Sequence, residues 1–306
     1  MSLVVVGSVA FDAIETPFGK TDKIIGGAAT YISLSASYFT KNVNLVAVVG
    51  GDFPKADIDL LVAHGVDTKG LQIKENEKSF FWSGKYHNDM NSRDTLVTEL
   101  NVLGTFDPII PNEYQDCSYL MLGNLAPSVQ RDTIKRMTKR PKLIVMDTMN
   151  FWMDIAMEDL TETIGMVDVL SINDEEARQL SKEYSLVKAA KKILAMGPKF
   201  LIIKKGEHGA LLFHGSHVFY APALPLEEVF DPTGAGDTFA GGFIGYLAST
   251  DDISFDNMKR AIIYGSAMAS FCVEKFGTER IINLSEKELN DRINMFVELV
   301  QFEISI

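Results

Sequence analysis

An α/β fold, with a mostly parallel sheet between two layers of helices, is predicted by three observations. Short β-rich runs alternate with helical patterns along almost the whole chain, the strand-and-crossover order that makes strands parallel. Three of those runs, VVV at 4–6, LIVM at 143–146 and LII at 201–203, are apolar without interruption, as strands covered on both faces are. No internal repeat, low-complexity tract or linker breaks the 306 residues, so one domain over 1–306 accommodates them.

In chain order, 3–9 reads as a strand, 28–40 as a helix and 44–49 as a strand. Further strands fall at 119–122, 143–147, 167–172 and 200–204, with helices near 54–64, 128–138, 152–165, 174–183 and 186–196. FLIIKKGEHGALLF at 200–213 reads as strand, tight turn, strand. After Gly234 the pattern is almost wholly helical, at 235–248, 255–275 and 286–302. Two stretches leave the alternation. Residues 14–25 are polar around the turn TPFG, and 78–98, KSFFWSGKYHNDMNSRDTLVT, alternate aromatic and β-branched residues with polar ones. With their flanks, about 12–26 and 75–104, they read as a small β lid able to exclude water from a site at the sheet's edge. An ordinary hairpin excursion is the alternative.

Composition, at 46% hydrophobic and 23% charged residues, is that of a folded globular protein. A net charge of −12 argues against nucleic acid as a partner, because a phosphate backbone would be repelled. An anionic small molecule needs a site made locally positive by amides, lysines or a metal ion. Two isolated cysteines in apolar surroundings, Cys117 and Cys272, make neither a disulfide framework nor a metal cluster and point to a reducing cytoplasm. The start, MSLVVVGSVAFD, lacks a basic region and reads as a first strand. No stretch reaches the roughly 18 apolar residues of a membrane span.

The most informative segment is FDPTGAGDTFAGGF at 230–243, where glycines stand at the head of an apolar helix. The first amides of a helix lack internal partners and carry partial positive charge, and glycine lets an anion approach them. Gly234, Ala235 and Gly236 therefore form a candidate anion hole. Asp237 would repel the anion as a ligand, but it suits a base that takes a proton from an attacking hydroxyl. A helix cap at Asp237, with Gly241, Gly242 and Gly245 serving close packing, is the structural alternative. The segment is neither a Walker A loop nor a dinucleotide fingerprint.

DPTGAGDTFAGGFI resembles, position by position, the C-terminal signature of the ribokinase-like sugar kinases, the phosphofructokinase-B family. GSVAFD at 7–12, the glycines near 26, NDEE at 173–176, KKGEHG at 204–209 and KFGT at 275–278 follow in the family's order, so the resemblance covers nearly the whole chain. It implies a ribokinase-like three-layer α/β/α fold with a β lid, ATP as phosphoryl donor and Mg2+. It also implies that Asp12 and the Gly26-Gly27 backbone bind acceptor hydroxyls, with Asn124 at another substrate position. Asn173 and Glu176 would order magnesium-bound water, although N-x-x-E is equally a capping box. Lys204, Gly206 and Gly209 would lie along ATP, and Gly277 near its adenine. Asp231 and Thr233 would hold a monovalent cation, K+ in related enzymes, and the lid would pair two copies into a dimer.

One departure bears on the acceptor. Relatives carry an asparagine shortly after the glycine pair, whereas GGAATYIS places Thr30 and Tyr31 there, an aromatic ring suited to stacking. The reading is thus an ATP-dependent kinase of a sugar or sugar-like alcohol. A nucleoside acceptor is the close alternative, from Tyr31 and the flap aromatics Phe80, Phe81, Trp82 and Tyr86, with an inositol-type polyol beside it. A binding regulator without chemistry is the third. Asp147 and Asn150 receive no role, and His208 reads as a solvated turn residue.

Overall fold

The structure is a computed structural model and describes residues 1–301. The first half of the chain forms β1 (Leu3–Val6), β2 (Ala10–Thr16), β3 (Gly19–Lys20), β4 (Ile24–Gly26), α1 (Ala28–Ala36), β5 (Val43–Gly50), α2 (Lys55–Ala63), β6 (Val66–Lys74), β7 (Phe80–Tyr86), β8 (Arg93–Glu99), β9 (Tyr119–Leu122), α3 (Pro127–Arg136) and β10 (Leu143–Asp147). There follow α4 (Asn150–Ile155), α5 (Met157–Ile164), β11 (Val169–Asn173), α6 (Asp174–Ser181), α7 (Leu186–Leu194), β12 (Phe200–Lys204), β13 (Ala210–His214), β14 (His217–Ala221), α8 (Ala235–Thr250), α9 (Phe255–Cys272) and α10 (Glu286–Val300).

Nine strands make the main sheet in the order β14-β13-β12-β11-β10-β9-β1-β5-β6. It is parallel from β6 through β12 and ends in the antiparallel pair β13 and β14. Alternate residues of each strand serve opposite layers. Leu3, Val5, Leu45 and Ala47 pack with residues of α1, α8 and α9. Val4, Val6, Val46 and Val48 share the other core with α5, α6 and α7. The continuous apolar runs arise because both faces of every central strand are covered.

The two stretches that broke the sequence pattern pair with each other. They form a second sheet, β3-β2-β7-β8, with β4 on β2. This sheet begins at Ala10, earlier than the polarity of 14–25 indicated. The run expected as one strand over 3–9 bends at Gly7-Ser8, so Asp12 lies in β2 of the second sheet instead of just beyond the main sheet's first strand. The helix expected over 152–165 is two, divided at Ala156, which leaves helical geometry at φ −142° and ψ 37°. Strands β6 and β14 went unread because they are partly exposed edges, where neither continuous apolarity nor clean alternation is required. The final residue of the helix expected over 286–302 lies outside the described residues.

Parallel strands aim their carboxyl ends one way. Gly123 and Asn124 follow β9, while Asp147, Asn173 and Lys204 end β10, β11 and β12. That edge, where open α/β sheets bind ligands, is where α8 starts and where the second sheet leans over.

Candidate active site

Helix α8 opens from Gly234, which sits in the left-handed region at φ 73°. A Cβ there would lie 2.5 Å from the Tyr31 ring, so glycine is required twice over, by conformation and by space. The Ala235 amide donates to the Pro232 carbonyl at 3.2 Å and the Thr238 amide to that of Gly234 at 2.7 Å. The amides of Gly236 and Asp237 meet no protein acceptor among the described residues. Within 234–237 the free amides are therefore those of Gly236 and Asp237, and Ala235 closes the turn. Gly241 and Gly245 lie against α1, within van der Waals reach of Ile32 and Ala36, so close packing accounts for them.

Asp237 stands at the head of α8, half-buried. Burial and then the nearby Asp147 carboxylate push it up to about 7, against the pull of Lys204 and Arg93. Lys204, at the end of β12, donates from Nζ to Asp147 Oδ1 at 3.1 Å, and the same Nζ would stand 3.2 Å from a Cβ on Gly236. Burial opposes its charge, but Asp147, Glu176 and Asp237 together hold it above the ordinary lysine range. Glu176, buried, is raised to about 7 by burial, with Lys204 lowering it and Asp147 raising it. Asn173 and Glu176 do form a complete capping box. The Asn173 amide donates to Glu176 Oε2 at 2.7 Å, and the Glu176 amide to Asn173 Oδ1 at 2.8 Å.

Asp12 is buried against the glycine pair, its Oδ2 being 1.9 Å from where a Cβ on Gly26 would stand, which excludes any larger residue there. Burial lifts it to about 7, opposed by a bond from the Gly27 amide and reinforced by Asp231 and Asp237. Asn124 reaches the same edge with its amide engaged: Oδ1 accepts from Trp152 Nε1 at 2.9 Å, and Nδ2 faces Met149 Sδ at 3.0 Å.

Two residues sit elsewhere than expected. Tyr31 is 1% exposed and its ring supports Gly234 from beneath, so it offers no face for stacking on an acceptor. The aromatic at 31 was legible, but which side of the 234–237 loop it occupies was not. Gly277 does not line the nucleotide-sized cavity; its amide donates to Asp231 Oδ2 at 2.8 Å behind the anion loop. Asp231, 0% exposed, also accepts the Thr233 amide on Oδ1 at 2.8 Å, and no Lys or Arg pairs with it among the described residues.

Two residues were missed. Asp147 completes the carboxylate–lysine cluster, and its position at the carboxyl end of LIVMD was an available signal. Arg93, at the start of β8, is cross-strand partner to Tyr86 and acts electrostatically on Asp237 and Glu176. Its guanidinium lies 5.7 Å from the Trp82 ring centroid. Tyr86 in turn accepts from Thr233 Oγ1 at 3.2 Å, fixing the second sheet to the anion loop.

Beside this cluster lies a cavity of about 450 Å3, lined at one end by Lys204, Gly206, Gly209 and Gly236 and elsewhere by apolar residues such as Leu224 and Phe239. One end offers free amides and a lysine and the other a dry wall, which fits a nucleotide's phosphates and base. Among the described residues no three His, Cys, Asp or Glu side chains converge to hold a metal ion by themselves.

Comparison with known proteins decides the family. Residues 1–283 match the pfkB family carbohydrate kinases. The chain belongs to that family. A cytidine kinase of Thermococcus kodakarensis is 34% identical over 250 residues, covering 80% of this chain and 87% of the relative. A nucleoside kinase of Methanothermobacter thermautotrophicus is 27% identical, covering 90% and 91%. Among solved structures, the Burkholderia thailandensis nucleoside kinase in complex with inosine superposes with TM-score 0.78 at 18% identity, covering 97% of this chain and 99% of that one. An Escherichia coli ribokinase II in complex with ATP and Mg2+ gives TM-score 0.78 at 20% identity, covering 97% and 99%. These last two carry the ribokinase fold alone. As a family member the protein is an ATP-dependent kinase that phosphorylates a hydroxyl of a sugar or sugar-like molecule.

Proposed function

We propose that the acceptor is a nucleoside, phosphorylated on a ribose hydroxyl. The observation that carries this is the pairing of β2 with β7, which are parallel and set Asp12 directly beside Trp82. Paired residues of neighbouring strands share a face. A carboxylate for ribose hydroxyls therefore stands next to a half-buried indole for a base. The 34% identical cytidine kinase supports the reading. A free sugar would satisfy Asp12 and leave Trp82 unused.

In the chemistry that follows, Asp12 and the Gly27 backbone orient the ribose. Asp237 accepts the proton of the attacking hydroxyl, and the Gly236 and Asp237 amides stabilise charge on the transferred group. Lys204 and Arg93 add positive charge on two sides. Mg2+, when bound with ATP, would neutralise the phosphates, with Glu176 and Asp147 facing its water shell. Asp231 is a buried carboxylate with no counter-charge among the described residues, which supports a monovalent cation such as K+ behind the loop. Strand β8 is an exposed edge carrying Leu96, with the exposed Leu100 just past its end, which supports a homodimer joined through the lid. The two buried thiols, Cys117 and Cys272, suit a reducing cytoplasm.

The test is ATP consumption against ribonucleosides, free sugars and polyols. Turnover of cytidine or another ribonucleoside is expected, and Trp82→Ala should raise its KM about 5- to 100-fold, the range of one base–aromatic stack. Turnover of free sugars alone would overturn the nucleoside reading while leaving the kinase intact.

A further inference from the structure

The hairpin joining β7 to β8 reaches past the acceptor side of the cleft. Residues 89–91 at its tip line the same 450 Å3 cavity as Lys204, Gly206 and Phe239. The contact is close: Asn91 Oδ1 lies 2.9 Å from the point where a Cβ on Gly206 would stand. The tip is also braced. Asp89 Oδ1 accepts the amides of Asn91 at 3.0 Å and Ser92 at 2.9 Å and the Ser92 hydroxyl at 2.8 Å. Both carboxylate oxygens are thus turned into the tip, Oδ2 accepting from Ser92 at 2.7 Å. Met90 is held in the left-handed region at φ 54°, unfavourable for a residue with a Cβ, and it is half-buried between exposed neighbours. Glycine would close a hairpin there without strain, whereas Met90 places a side chain on the cavity wall.

We propose that Met90 and Asn91, braced by Asp89, belong to the nucleoside triphosphate site, so that one hairpin covers both reactants. The base of the hairpin, with Trp82 and Arg93, faces the acceptor and the catalytic carboxylates, and its tip lies on the nucleotide. The inference rests on the kinase reading and extends it. Nucleotide alone orders the tip where it lies, even without acceptor. Because the ordered tip then serves both ligands, each tightens the other by the same factor.

The probe is Mg2+ with AMP-PNP, titrated calorimetrically in the absence of any acceptor. Met90→Gly/Asn91→Ala should bind it about five- to tenfold more weakly, with a Tm no lower than wild type because the left-handed residue is relieved of strain. Affinity within twofold of wild type in the folded variant overturns the proposal. A measurement on the unaltered protein covers the case of a misfolded variant: hydrogen exchange in the segment 86–94 should slow at least threefold when AMP-PNP is added alone, and unchanged exchange overturns the proposal as well. A wild-type chain that binds no AMP-PNP overturns the kinase reading itself, a result distinct from wild type binding tightly and the variant equally so.

Discussion

At the scale of single residues, the cleft concentrates negative charge. Asp12, Glu176 and Asp237 are all lifted to about 7, chiefly by burial. A base must be ionised to accept a proton, so kcat/KM should fall about tenfold per pH unit below roughly 7, more steeply if a second carboxyl must also ionise. The neighbours fix the direction of each shift. Asp147 raises Asp237, so Asp147→Asn should move the acidic limb to lower pH; Arg93 lowers it, so Arg93→Gln should move the limb to higher pH. Shifts of about half a unit or more are expected for partners at this range. Limbs that stay in place, with only the plateau rates changed, would show that these two side chains act on geometry alone.

At the scale of elements, two helix starts bear on function. The head of α8 depends on a left-handed glycine lying on Tyr31. Gly234→Ala should cost about 1–3 kcal/mol in urea unfolding from backbone strain, and steric conflict with the ring should abolish turnover. At α6 the capping box and the proposed water-ordering role share the same atoms, and substitution separates them. Asn173→Ala should cost about 1 kcal/mol of stability as the cap is lost. Glu176→Gln keeps an acceptor for the Asn173 amide, so stability should hold within about 0.5 kcal/mol while the Mg2+ concentration for half-maximal rate rises at least tenfold. Unfolding curves and Mg2+ titrations read the two effects independently. Equal loss of stability in both variants would reduce Glu176 to a cap.

At the scale of the whole molecule, the −12 charge and the positive cluster at one sheet edge work together. The body repels polyanions, while Lys204, Arg93 and the free amides make one local exception for a phosphate. The second sheet ends in a strand exposed along its full length, with Leu96 in it 55% and Leu100 just past it 52% accessible. A dimer mass is expected from light scattering, and Leu96→Lys/Leu100→Lys should shift it to the monomer, because buried like charges at a two-fold interface repel. A monomer for the unaltered chain at tens of micromolar would leave that edge without a second copy.

The amino-acid sequence by itself determined what rests on local chemistry. Continuous apolar runs marked β1, β10 and β12 because covered strands need them, and Asn173 with Glu176 three residues on formed the cap that this spacing favours. The glycines of 234–236 pointed to open amides at a helix head, because free donors and missing Cβ atoms are properties of the segment itself. The tertiary structure alone decided which aromatic stands beside Asp12. Tyr31 and Trp82 are equally visible in the sequence, but a parallel pairing of β2 with β7 puts Trp82 beside Asp12, while helix packing hides Tyr31 under Gly234. Asp147 likewise gained its place only when β10 and β12 brought it to Lys204. Such meetings depend on register between distant segments, which no local periodicity encodes.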